Sequence, residues 1–95
     1  MKSVKRVEFI IDEREVDNLL SSLAKVNITS YTVITGAYGN GDHGMRGADI
    51  FSDSLSYVLI ACDEEGVKVI IEKVRPVLKS LGGICLVSDA MWVIH

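Results

Sequence analysis

The side chains best suited to chemistry concentrate in one segment. Residues 39–54 hold Gly39, Gly41, Asp42, His43, Gly44, Arg46, Gly47, Asp49 and Asp53. Glycine lets backbone N–H groups approach an anion closely, and successive N–H groups can form a concave anion site. Arg46 could pair with a phosphate or carboxylate in forked geometry. It could equally be a solvated charge, or the partner of Asp49 or Asp53. Gly39-Asn40-Gly41-Asp42-His43-Gly44 matches G-x-G-x-x-G in letters. A dinucleotide fingerprint requires a strand before this pattern and a helix after it. Met45-Arg46-Gly47-Ala48-Asp49 has no amphipathic period, so the dinucleotide reading is rejected. The residues alone leave two readings open, an anion-binding loop and a flexible glycine loop without a ligand.

Asp42, His43, Asp49, Asp53 and His95 are the metal-capable residues. No spacing among them matches a metal motif, and the two histidines are far apart. A metal reading would need a site assembled between subunits. Catalysis is poorly supported. Asp42 and His43 are adjacent acid–base groups with no activated nucleophile beside them, and Thr32 and Thr35 read as strand formers. Cys62 and Cys85 lie in apolar strand-like runs and read as small buried hydrophobes, reduced as in a cytosolic protein.

These residues must be positioned by a small fold. The 95 residues suit one domain spanning 1–95. A composition that is 48% hydrophobic excludes a disordered chain. A net charge of −3 disfavours a nucleic-acid partner, which needs a basic face. It still allows a small phosphorylated ligand at a local positive site. No apolar run approaches the roughly 18–20 residues that span a bilayer. Met1-Lys2-Ser3-Val4-Lys5-Arg6 leads into alternating residues and not into a signal-peptide core. The expected location is the cytoplasm.

Residues 4–11 alternate as a strand. Asp12 and Glu15 then resemble a capping box, and Val16, Leu19, Leu20 and Leu23 form one helical stripe. That helix is expected over 13–25, with Asn27 as a left-handed terminator. Residues 30–38 and 55–62 read as strands, separated by the long segment 39–54. Loops beyond about 12–15 residues are uncommon in compact domains and tend to be functional or disordered. Asp63-Glu64-Glu65 starts a second helix, whose apolar period runs to Leu81 with a kink or break expected at Pro76. Residues 84–88 form a strand, and Met91-Trp92-Val93-Ile94 in the tail could add an edge strand. The order βαββαβ predicts an α+β, ferredoxin-like fold, a four-stranded antiparallel sheet with two helices on one face. Tyr57, Leu59 and Ala61 point one way, and Val58, Ile60 and Cys62 the other. Both faces are therefore apolar, which predicts that copies of the chain cover the open face.

The chain resembles the PII-like signalling proteins, ferredoxin-like trimers with a long mobile T-loop between the second and third strands. Residues 27–35, Asn-Ile-Thr-Ser-Tyr-Thr-Val-Ile-Thr, are similar to the family's G-I-T-G-M-T-V-T-E. Gly39-x-Gly41, Arg46-Gly47-Ala48 and the D-E-E helix start follow in the family's order. Leu81-Gly82-Gly83-Ile84-Cys85 stands where classical members carry T-G-x-x-G-D-G-K-I-F, and segment 39–54 lacks their modified tyrosine. The glycine-rich loop and the Asp89-Ala90-Met91-Trp92 end look more like divergent members, including the carboxysome-associated ones.

The resemblance implies a non-enzymatic regulatory homotrimer that binds an adenine nucleotide, ADP or AMP, with bicarbonate as a further candidate ligand. The nucleotide would lie in a subunit cleft. One side would be Thr35, Tyr38, Gly39, Gly41 and Arg46, and the other Gly82, Gly83 and Ile84, with His95 reaching in. The T-loop-like segment 39–54 would dock on a protein partner, a transporter or an enzyme. The alternatives are a divalent-metal trimer resembling copper-tolerance proteins of the same fold and a small ferredoxin-like enzyme.

Overall fold

The structure is a computed structural model that describes residues 1–41, 44–46 and 54–94. Strand β1 (Lys2–Asp12) buries Val7, Phe9 and Ile11 completely, as its alternation requires. The chain then turns through a 3-10 segment, Glu13–Glu15, before helix α1 (Val16–Ala24). Asp12 does cap this turn, accepting from the Arg14 N–H at 2.9 Å. The capping box does not close in the expected way: the Asp12 N–H donates to the Leu81 carbonyl, and the Glu15 carboxylate accepts from the Asn18 amide. Asn27 takes φ 63° just past α1, the left-handed stop expected of it.

Strand β2 (Thr32–Ala37) is followed by two short strands, β3 (Gly39–Gly41) and β4 (Gly44–Arg46). They pair as an antiparallel hairpin, Gly39 opposite Arg46. Residues 39–41 and 44–46 are thus held by backbone hydrogen bonds, which need no apolar period and left no signal in the sequence. Strand β5 (Leu55–Cys62) occupies the expected residues.

Helix α2 (Glu64–Val74) opens on Asp63, whose carboxylate accepts from the Gly66 N–H at 2.7 Å. It does not continue to Leu81. Pro76 sits in a 3-10 segment, Arg75–Val77, because its ring and missing N–H cannot extend the α-helical ladder. The remaining turns still bring Leu81 into the core, where it is 3% exposed. The apolar period therefore survives the break. Strand β6 (Ile84–Trp92) absorbs the tail as one continuous edge strand and not as a separate one.

The main sheet runs β2-β5-β1-β6, all neighbours antiparallel. This is the ferredoxin-like order. Val7, Phe9, Ile11, Val58 and Ile60 form one buried cluster with Leu19 and Leu23 of α1 and Ile70 and Val74 of α2. Each such side chain contributes about 1.5–3 kcal/mol when fully buried. The other sheet face carries no helix among the described residues. Ile34, Ile84, Leu86 and Trp92 on it remain 49–56% exposed.

Candidate functional site

Four strand ends share one end of the sheet. Ala37 of β2 lies opposite Leu55 of β5. Leu55 in turn lies opposite Asp12 of β1, and Ile10 of β1 faces Ile84 of β6. The residues expected to bind ligand all gather at this end where they are described. Thr35 and Tyr38 are exposed, Tyr38 at 69%. Gly39 and Gly41 form β3, and the Arg46 backbone pairs with Gly39 in β4. Gly82, Gly83 and Ile84 form the turn into β6. His95 lies outside the described residues, as do Asp42, His43, Asp49 and Asp53.

The sheet does not join these two groups within one copy. Residues 35–41 and 44–46 follow from the β2 edge, and residues 82–84 begin the β6 edge. Strands β5 and β1 lie between, so three interstrand steps of about 4.8 Å separate the edges by roughly 14 Å. Each edge offers backbone groups that no strand of the described sheet pairs.

The glycines differ in what holds them. Around Gly36 the β2–β5 register shifts between Thr35 and Ala37, and Gly36 takes φ 79°. That bulge re-aims the chain toward the hairpin. A Cβ on Gly39 would meet nothing within 4 Å. Among the described residues its small size therefore answers to no neighbour, and the backbone is open to approach. Gly82 takes φ 70°, reversing the chain after Leu81. Gly83 is packed against β1, where a Cβ would lie 1.8 Å from the Ile10 carbonyl oxygen. Gly83 thus has a packing reason to be glycine that the sequence did not reveal.

A corner that sequence reasoning missed braces this end. Asp12 is 6% exposed, and its carboxylate receives Nε and Nη2 of Arg14 at 3.1 and 2.8 Å. The Asp12 N–H donates to the Leu81 carbonyl, and the Glu13 N–H to the Ser54 carbonyl at 2.9 Å. The β1 end is therefore tied both to the glycine turn and to the far end of segment 39–54. The only advance sign of it was an acid and a base two residues apart at a strand end.

Burial raises the Cys62 and Cys85 thiols above their ordinary value, which lowers their thiolate fraction. Among the described residues no group of three or more His, Cys, Asp or Glu could hold a metal ion. No described helix is long and apolar enough to cross a membrane.

The βαββαβ order and the loop built onto one end of a sheet edge define the ferredoxin-like class of α+β proteins. Within that class the family is specific. The model for nitrogen regulatory protein P-II matches residues 4–94, and the chain belongs to the P-II family. Members of this family are regulatory signal proteins, typically trimeric. No curated protein matches the chain by sequence. Among solved structures it is similar to CPII of Thiomonas intermedia K12, a nitrogen regulatory PII-like protein. The CPII structure bound to ADP and bicarbonate is 25% identical, covers 93% of this chain and 86% of that one, and has a TM-score of 0.81. A second structure of CPII, bound to ADP, AMP and bicarbonate, is 24% identical over 93% and 86% of the two chains, TM-score 0.81. A putative PII-like signaling protein of Thermus thermophilus is 19% identical over 98% and 91%, TM-score 0.72. The last two likenesses speak for the fold alone.

Proposed function

We propose that this chain is a non-enzymatic regulatory sensor that binds an adenine nucleotide, ADP or AMP, with bicarbonate as a second ligand. Its working unit is a homotrimer in the cytoplasm, each copy a single domain. The nucleotide sits between copies, and the T-loop-like segment 39–54 signals occupancy to a protein partner. The observation that carries this reading is the placement of the two glycine-bearing groups. They share one end of the sheet but lie on opposite edges, so a neighbouring copy is needed to bring them together. The ligands of CPII supply the chemistry.

In this arrangement Thr35, Tyr38, Gly39 and Gly41 of one copy face Gly82, Gly83 and Ile84 of the next. Backbone N–H groups take the phosphate, Arg46 adds a forked cationic donor, and His95 is a further candidate contact reaching the cleft.

Calorimetry with ATP, ADP, AMP and cyclic AMP, with and without bicarbonate, tests the reading. At least one nucleotide should saturate, and at 100 times its Kd it should stabilise the protein by about 2.7 kcal/mol. Gly39→Val should weaken that binding while leaving the protomer folded, because a Cβ there meets nothing. Flat traces for all four nucleotides on folded protein would refute the proposal.

A further inference from the structure

The open sheet face carries one polar cluster. Its side chains between positions 4 and 10 of β1 are Val4, Arg6, Glu8 and Ile10. Around them lie Ile34 of β2, Tyr57, Leu59 and Ala61 of β5, and Ile84, Leu86, Ser88, Ala90 and Trp92 of β6. Arg6 and Glu8 are the charged members of this group. The Glu8 carboxylate accepts from the Tyr57 hydroxyl at 2.6 Å and forms an ion pair with Arg6, whose Nε lies 3.1 Å away. Arg6 Nε also reaches Ser88 Oγ at 3.2 Å.

The cluster is not closed. Arg6 donates its hydrogen bond to Ser88 through Nε, and its two Nη groups make no hydrogen bond among the described residues. Its side chain is 50% exposed, whereas that of Glu8 is 21% exposed. Arg6 also stands in the wall of an apolar groove of about 350 Å³ with Val4, Leu59, Ala61 and Trp92. A copy that covers this face takes the guanidinium out of water. Glu8 of the same chain balances the charge through the Nε side, but the Nη edge would lose its water, so an acceptor on the covering surface is favoured there. The face itself holds one, since Glu8 has lone pairs beyond the two it already uses.

In a cyclic assembly the contact is heterologous: residue i of one copy meets residue j of the next. We infer that each Arg6 donates through its Nη edge to Glu8 of the neighbouring copy, closing a ring of alternating Arg6 and Glu8 around the threefold axis. This rests on the trimer proposed above. The ring is neutral, because each copy contributes one charge of each sign. It sets register on a face whose apolar contacts are otherwise non-directional.

Charge-reversed copies test this in trans. Arg6→Glu gives copies with two acids at the ring, and Glu8→Arg gives copies with two bases. Alone, each should raise the trimer dissociation constant at least about tenfold in native mass spectrometry. Circular dichroism checks that the protomers stay folded, and Arg6→Gln and Glu8→Gln serve as milder variants. Mixed, the two reversed chains should recover 2:1 trimers above the statistical yield, because two of the three contacts then join opposite charges. A purely intrachain cluster cannot be rescued by mixing. Reversed variants that stay within about threefold of the original chain would overturn the ring, as would dissociation that mixing fails to recover. Both results leave the trimer standing. An original chain that is monomeric at micromolar concentration would overturn the trimer and the ring together.

Discussion

Gly83→Ala should be far more damaging than a single methyl group suggests. A Cβ at position 83 would stand 1.8 Å from the Ile10 carbonyl oxygen, and 2.8 Å from both Ile10 C and Ile11 Cα. All three are backbone atoms of a strand paired on both sides, so no rotamer change relieves the clash. Either β6 lifts away from β1 at the Ile10–Ile84 pair, or β1 distorts next to the fully buried Ile11. Overpacking a well-ordered interior typically costs about 1–3 kcal/mol, and a backbone collision belongs at or above the upper end. For a domain of this size about 3 kcal/mol corresponds to a fall in Tm of roughly 12–24 °C. Gly39→Ala is the control. It meets no atom and needs no left-handed backbone, so it should stay within about 0.5 kcal/mol of the original chain, or gain slightly from a less flexible unfolded state. Thermal and urea unfolding followed by circular dichroism, at one fixed protomer concentration and without nucleotide, gives both values. A Gly83→Ala protein within about 1 kcal/mol of the original, the lower end of the overpacking range, would refute the close packing of the turn against β1. Gly83 would then return to the ligand as its sole explanation.

Asp63→Ala removes the carboxylate that accepts from the Gly66 N–H at 2.7 Å. It should lower stability by about 1 kcal/mol, read from the urea midpoint at unchanged slope. Tyr57 should titrate above its ordinary value of 10.0, because its hydroxyl donates to Glu8 and partial burial disfavours the phenolate. The folded protein thus holds this proton more tightly than the unfolded chain does. The contribution is whole below the ordinary value of 10.0 and is lost as pH rises through the folded pKa. Glu8→Gln should move the phenolate absorbance titration back toward lower pH, and an unmoved titration would show that burial alone causes the shift.

Much of this protein could be read from its sequence, because local spacing and chemistry decide it. The alternation in β1 and the stripe Val16, Leu19, Leu20 and Leu23 place the core without knowledge of any partner strand. Asn27 and Asp63 mark helix ends through their own side chains and backbone preferences. Resemblance at residues 27–35, 39–41, 46–48 and 63–65 pointed to the family that the match over 4–94 establishes. Tertiary structure decided what depends on atoms distant in sequence. Gly83 reads as a ligand glycine until β1 is laid against it. The hairpin of β3 and β4 draws its order from paired backbone groups, which carry no side-chain signature. Pro76 predicted an interruption, but only packing could show that the chain beyond it still delivers Leu81 to the core. The candidate binding residues were legible as types, glycines and an arginine. Their division between opposite edges of one sheet was not, because strand order is fixed by hydrogen bonds between segments tens of residues apart.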